Sequence, residues 1–298
     1  IVSSKALYHS LKDKGDKTSF PTLGFKSKKD NTTSIEIQSR SFKSIENVLN
    51  FYPRYFGFKT NKEGIQIKEN ISTLICSVRL QRTRTGKFYL CIPRNTVFDQ
   101  TNSKRTCAID PGVRGFITIY DPHGLTLSVE DCNNKIFNRC LTIDKLQSKL
   151  TKCTSKRTRS RIRHTIYNSF QRIKRMIDDM HQKVSGWLSD NYAEVLLPKF
   201  ATSDLTSKQK RISSKVSRAM LTWSHYKFKK MLEYKMQRSG GRAIECTEYY
   251  TTKTCSCCGR INHNIIKQKV FTCSQCNLIM DRDVNAAVNI KEEGLRLY

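Results

Sequence analysis

The sequence predicts an α/β layer fold with a small cysteine-rich insert, preceded by a β-rich basic segment. Three observations carry this. Short β-type runs cluster between Thr106 and Val129, and apolar residues then recur at spacings of three and four from Ile143 to about Asn191. Strand-like and helix-like stretches alternate from there to five cysteines crowded between Cys255 and Cys276.

The elements follow in order. Residues 1 to about 70 are polar and irregular, with one strand expected at Ser34 to Ser39. Leu74 to Leu80 and Lys87 to Ile92 flank QRTRTG and predict a β-hairpin turned at Gly86. Arg79, Arg82, Arg84 and Lys87 make that hairpin basic, which suits either a solvated edge or contact with phosphates. Thr106 to Ile109 and Phe116 to Tyr120 pair around PGVRG, and Leu125 to Val129 completes an antiparallel meander that opens a new domain. The long helical region carries its apolar positions at Ile143, Leu146, Leu150, Ile162, Ile166, Ile173 and Ile177 and onward, as two helices broken near TKCTSKR. Its Arg and Lys residues fall on the other face, as a solvated surface or a nucleic-acid track. Ala193 to Phe200 returns to strand, and Ala201 to Ser214 reads as a serine-rich linker. One helix is expected from about Arg218 to Ser239, stopped by Gly240 and Gly241. A last strand starts at Ala243 to Cys246, and a short helix spans Val284 to Ile290.

The 298 residues allow two or three domains. Lys and Arg number 54 against 25 Asp and Glu, and the excess runs through most of the chain, a field suited to polyphosphate partners. No apolar run approaches the roughly 20 residues needed to cross a bilayer, and no secretory pattern opens the sequence. An intracellular protein without a membrane partner is expected. The first residue is Ile1, so an incomplete amino-terminal segment is also expected.

Cys255-x-x-Cys258 and Cys273-x-x-Cys276, fourteen residues apart, supply two thiolate pairs. Four thiolates make the closed tetrahedral site of structural zinc, with no open position for water. Gly259 and Asn277 follow the two pairs and permit the turns that aim amides at sulfur. Cys257 and His263 are spare. Catalysis is therefore sought among carboxylates: Asp110 at a strand end, and Asp281 and Asp283 in MDRDVNAAVNI. An Asp before a helix is ordinarily an N-cap, which accounts for one of that pair.

These residues resemble a known family. Asp110-Pro111-Gly112, TTKTCSCCG (Thr251 to Gly259) and DRDVNAAVNI (Asp281 to Ile290) are similar to the RuvC-type nuclease half of the TnpB and Fanzor proteins, relatives of type V CRISPR effectors. MHQKVSGWLSDNY (Met180 to Tyr192) and WSHYKFKKMLEYK (Trp223 to Lys235) match helices of that family, so the resemblance runs from about Asn95 to the end. It implies a ribonuclease H-like (RuvC) fold, residues 105–254 and 277–298, with a zinc ribbon inserted at 255–276. A β-barrel wedge domain that handles RNA and duplex DNA is implied for 1–104, without the helical recognition insert usual in the family. Three carboxylates would hold two magnesium ions and cut DNA opened by a guide RNA. Asp110 matches the first catalytic aspartate and Asp283 the last, leaving Asp281 as support or cap.

The family usually places its middle Glu at the end of the fourth strand, where VLLPKF has Pro198 or Lys199. Proline cannot bind a metal. Either the enzyme is silent or the carboxylate has moved to the neighbouring fifth strand, about 4.8 Å away. Thr247-Glu248-Tyr249-Tyr250-Thr251-Thr252-Lys253-Thr254-Cys255 matches the context of the relocated glutamate of Fanzor proteins, which selects Glu248, with Glu245 in reserve.

The resemblance thus implies an RNA-guided, magnesium-dependent DNA endonuclease of a transposable element. Its partners are a guide RNA from its own locus and double-stranded target DNA with a short flanking motif, and the protein is expected to act as a monomer. The site of action is expected to be the nucleus for a Fanzor protein and the bacterial cytoplasm for a TnpB relative. The alternatives are a catalytically silent RNA-guided DNA-binding protein and an RNA-independent transposase or resolvase.

Overall fold

The computed structural model describes residues 2–15, 18–20, 32–45, 48–57, 59, 63–68, 76–83, 85–93, 95, 105–113, 115–131, 134–199, 214–246, 250–263 and 268–295. They divide into two compact units, Ile1–Asn95 and Thr96–Tyr298.

The first unit contains helix α1 (Val2–Asp13) and two antiparallel three-stranded sheets. One joins β1 (Thr32–Ile37) to the hairpin formed by β5 (Val78–Thr83) and β6 (Phe88–Cys91). The other is formed by β2 (Phe42–Ile45), β3 (Val48–Phe51) and β4 (Ile65–Gln66), with the single turn α2 (Pro53–Phe56) between its last two strands. Ile37, Phe42, Leu49, Phe51 and Val78 form one buried cluster, so the apolar faces of both sheets share a core. Gly86 closes the β5–β6 turn at φ 82°, donating its amide to the Thr83 carbonyl at 2.9 Å. A side chain at that φ would be strained. The strand expected at Ser34 to Ser39 lies two residues earlier. The helix at Val2–Asp13 and strands β2 to β4 escape the sequence reading because they are short or alternate poorly.

The second unit is built on a five-stranded sheet in the order β11-β10-β7-β8-β9. Strands β7 (Thr106–Pro111), β8 (Ile117–Asp121) and β9 (Leu125–Val129) form the expected antiparallel meander. Strands β10 (Glu194–Pro198) and β11 (Arg242–Cys246) then add in parallel beside β7. The fourth and fifth strands are neighbours, as the ribonuclease H-like expectation requires. Alternation along the strands divides the two faces. Cys107, Ile109, Val195 and Leu197 point into the main core, together with Phe116, Ile177, Leu188, Leu232 and Met236. Ala108, Leu196 and Cys246 point to the opposite face and meet Ile290.

Helices α3 (Lys135–Lys152) and α4 (Lys156–Asn191) break at residues 153–155, where the sequence places the break. Helix α3 begins eight residues before Ile143, because the Asp131 carboxylate accepts the amides of Ile136 and Phe137 at 2.9 and 3.0 Å and so supplies a start signal. The helix expected from Arg218 to Ser239 is two: α5 (Ser214–Trp223) and α6 (His225–Arg238), separated by Ser224 in the left-handed region at φ 53°. The last helix, α7 (Arg282–Leu295), is longer than Val284 to Ile290. Gly294 permits this, since a Cβ there would meet Leu196 Cδ1 at 2.6 Å. Most of the expected serine-rich linker, residues 201–213, lies outside the described residues. Among the described residues, no helix is long and apolar enough to cross a membrane.

Candidate active site and metal centre

Asp110 stands at the carboxyl end of β7, opposite Thr118 of β8. Alternation gives it the face of Ala108, on which α7 packs. The direction of α7 follows from its contacts. Gly294, near its carboxyl end, rests on Leu196 in the middle of β10. Nearer its start, the Asn285 and Asn289 side-chain amides donate to the Thr254 carbonyl at 2.7 Å, and Asn289 also donates to Thr251 at 2.7 Å, in the segment that follows β11. Helix α7 therefore runs against the parallel strands, and its amino-terminal Asp283 lies toward their carboxyl ends, as Asp110 does.

The two aspartates of the DRD run differ in their bonding. Asp281 Oδ1 accepts the amides of Asp283 at 2.8 Å and Val284 at 3.4 Å, which makes it the N-cap of α7. Asp283 sits in the first helical turn, half-buried, with one oxygen bonded by Arg282 Nη2 at 3.0 Å. At a helix start its negative charge is also favoured by the macrodipole.

Pro198 pairs in register with Cys246 of β11. By parity it shares the α7 face with Leu196, which puts proline, and not Lys199, in the position where a carboxylate is usual. Glu245 is turned to the other face: it follows Ala243 toward the main core, and its carboxylate pairs with Lys229 of α6. Glu245 and Asp110 thus belong to opposite faces of the sheet. Glu248 lies outside the described residues. Ile244 and Cys246 are the β11 residues on the α7 face.

Two side chains that the sequence reading left unassigned grip the turn after Asp110. Trp223 Nε1 donates to the Val113 carbonyl at 3.1 Å, and His225 Nε2 donates to the Gly112 carbonyl at 3.1 Å. The left-handed break at Ser224 lets both rings reach the same turn, which explains why one helix became two. His225 stacks on Phe116 with centroids 5.2 Å apart, and His181 stacks on it at 5.0 Å. Burial is the main cause that lowers the His225 pKa from 6.5 to about 4; the Gly112 bond opposes this and His181 adds to it. The only sequence signal was the Trp-Ser-His phrase itself.

A pH dependence follows. Between 6.5 and about 4 the unfolded imidazole is protonated while the folded one is not, so the unfolded state binds more protons and stability falls as pH drops through that window. The shift corresponds to about 3 kcal/mol. His181, whose pKa is lowered chiefly by burial, acts with the same sign. Thermal melts from pH 7 to 4 should show this loss, and His225→Gln should flatten it; an unchanged slope would remove His225 as its source.

The four cysteines form the candidate metal centre. Their sulfurs all lie within 4.8 Å of one another, and among the described residues no other group of three or more His, Cys, Asp or Glu is gathered closely enough to hold one metal. Cys255 and Cys276 sulfurs are 3.6 Å apart, as are those of Cys258 and Cys273. Four ligands at 2.3 Å from a tetrahedral ion stand about 3.8 Å apart, so the set fits zinc. The Gln275 amide donates to Cys273 Sγ at 3.4 Å, and amides from Cys276 and Gln275 lower the Cys273 pKa to about 6. Gly259 at φ 75° and Asn277 at φ 56° make the two turns. Strands β12 (Val270–Thr272) and β13 (Ile279–Asp281) carry the second pair, with Phe271 buried beneath. The site is tied to the DRD run, since Asn285 Oδ1 accepts the Ser256 amide at 3.0 Å.

On the basic hairpin, Arg79 faces Glu36 of β1 across the sheet and Arg82 lies over the Phe88 ring at 5.8 Å. Lys87 is exposed, and Arg84 lies outside the described residues.

A mixed α/β sheet with aspartates at its carboxyl edge and a four-cysteine ribbon beside it defines the class, and sequence comparisons agree. Residues 225–290 match the Cas12f1-like TNB domain. The TnpB-like protein L79 of Acanthamoeba polyphaga mimivirus is 30% identical over 218 residues, which cover 71% of this chain and 42% of that protein. The CRISPR-associated endodeoxyribonuclease Cas12f1 of Sulfoacidibacillus thermotolerans is 36% identical over 75 residues, 25% of this chain and 18% of that one. A Cas12f1–sgRNA–target DNA complex solved by cryo-EM superposes with a TM-score of 0.47 at 16% identity, covering 95% of this chain and 74% of that chain. The chain is similar to TnpB-like proteins, and it spans less than half the length of the mimivirus relative.

Proposed function

We propose that this chain is the nuclease-bearing part of an RNA-guided DNA endonuclease of the Fanzor type, and that Asp110, Glu248 and Asp283 are its catalytic carboxylates. The observation that carries this reading is the placement of Asp110 and Asp283 toward the carboxyl ends of the parallel strands, on the face covered by α7. Residues 105–254 and 277–298 form the nuclease domain in this reading, 255–276 the ribbon, and 1–104 a wedge-like domain in which Arg79, Arg82, Arg84 and Lys87 contact nucleic acid. Asp110, on a strand between two others, is held rigidly; Asp283 is oriented by its cap, Asp281, and by Arg282. Hard oxygen donors of this kind suit magnesium, while the thiolates take zinc. Two such cations, bound by the carboxylates, would activate water and stabilise the leaving oxygen of a phosphodiester.

Glu248 is favoured over Glu245 because Glu245 is committed to Lys229 on the far face. Glu248→Ala should abolish cutting of a guide-matched plasmid in magnesium, whereas Glu245→Ala should retain it. The opposite pattern reassigns the middle carboxylate. A silent DNA-binding protein is the second reading, favoured by Pro198 in the usual glutamate position. Tight binding of the matched plasmid without any cutting by the unaltered protein would establish it.

A further inference from the structure

Helix α4 is 36 residues long, about 54 Å, but its buried residues begin only at Ile173. Ahead of that point it is packed along one seam. Ile162, Ile166, Ile173 and Ile177 fall on one side of the helix at 100° per residue. Arg157, Arg161, His164, Asn168, Arg172 and Arg175 fall within about 80° of arc on the opposite side, and all six are exposed. The stripe is about 27 Å long. From Lys156 to Arg175 the helix has eight Lys and Arg and no Asp or Glu.

A solvated helix face normally mixes signs, and elsewhere this protein does so: Lys183 pairs with Asp179 on the later part of α4, and Lys230 with Glu233 on α6. Arg157, Arg161 and Arg172 have no ion-pair partner among the described residues. Like charges at Arg157 and Arg161, four residues apart, destabilise an isolated helix. The sequence therefore maintains a repulsive arrangement whose natural complement is a row of phosphates.

The flanks narrow the partner. A single strand is bound by exposed aromatic platforms, which the stripe lacks. A membrane surface would require apolar residues beside the cations, whereas the exposed Phe170 of α4 lies about 120° or more of arc from the stripe. Ser160 and Thr165 line a shallow hollow with Arg157, Arg161 and His164. The Thr165 hydroxyl donates to the Arg161 carbonyl at 3.0 Å, so its oxygen is an acceptor for a hydroxyl group. Phosphates together with hydroxyls are displayed by the wide, shallow minor groove of A-form RNA, where 2′-hydroxyls both donate and accept. We propose that the Arg157–Arg161–His164–Asn168–Arg172–Arg175 stripe docks a double-stranded RNA stem across its minor groove. The inference rests on the proposed function only in taking that stem to belong to the guide RNA; the surface chemistry stands without it.

The test uses the full chain, freed of copurified RNA, with a 16-base-pair RNA hairpin and the DNA hairpin of the same sequence. The probe variant carries Arg157→Gln, Arg161→Gln, Arg172→Gln and Arg175→Gln. The control carries Lys12→Gln, Lys14→Gln, Lys183→Gln and Arg238→Gln, an equal loss of charge elsewhere; circular dichroism verifies that both are folded. RNA binding by the probe variant is expected to weaken at least tenfold at 0.1 M salt, and the slope of log K against log salt to fall by about 3.6, from four lost phosphate contacts at about 0.9 each, the duplex value. The control should keep the wild-type slope, and DNA binding should change less than RNA binding. An unchanged RNA slope, an equal loss in the control, or an equal loss for DNA overturns the proposal. Cleavage is a separate readout: RNA binding through the stripe without cutting would sink the nuclease reading alone, and cutting with an unaltered RNA slope would sink the stripe alone.

Discussion

Asp110→Ala is expected to reduce cleavage of a guide-matched plasmid in magnesium by about a thousandfold or more, with the fold and RNA binding retained. Removing a carboxylate that would bind a catalytic cation removes transition-state charge stabilisation worth several kcal/mol, and each 1.36 kcal/mol is tenfold in rate. The substitution is mild for the fold, because Asp110 is half-buried at a strand end and not in the core. Asp283→Ala should behave in the same way. Asp281→Ala provides the contrast within one tripeptide: it removes the N-cap of α7 and should cost about 1 kcal/mol of stability, with a smaller loss of cutting through a displaced Asp283. Asp281→Asn, which keeps a capping oxygen, should restore most of it. Cutting by Asp110→Ala at the wild-type rate would remove Asp110 from the chemistry.

Removal of zinc is the second large effect. Structural zinc binds such sites with about 10–16 kcal/mol of apparent free energy, and that energy is folding energy for the segment. The ribbon's own core consists of little more than Phe271, Cys255 and Cys273 with Leu278 and Met280 packed around them, too little to hold 255–276 without the metal. Metal analysis should find one zinc per chain. Chelation, or Cys258→Ser with Cys273→Ser, should render this segment protease-sensitive while the five-stranded sheet keeps its protection. Since Asn285 joins the Ser256 amide to the start of α7, the same loss should loosen the helix turn that carries Asp283. Reduced protein with all four cysteines intact and no bound zinc would contradict the assignment.

The legibility of the chain varied with the locality of its signals. The gathering of four cysteines was readable residue by residue, because two C-x-x-C pairs, Gly259 and Asn277 encode their turns within a few positions. The meander β7 to β9 was readable from alternation, and the break between α3 and α4 from the loss of apolar period. The first 70 residues were not, since short strands such as β2 and β4 bury too few side chains to leave a period. The split at Ser224 was also hidden: its cause lies more than a hundred residues away, at the Gly112 and Val113 carbonyls that His225 and Trp223 reach.

By itself the sequence determined the class of the sheet, the four cysteines that could hold zinc, and the aspartates worth testing, because local spacing and residue chemistry specify these. Only the tertiary structure decided which carboxylates share a face. Parity along β7 and β11 separates Asp110 from Glu245, the contacts of α7 bring Asp283 toward the carboxyl ends of the strands, and the DRD pair resolves into a cap and a candidate ligand. Such choices depend on how strands register and how a helix lies on them, and no window of sequence contains both partners of those contacts.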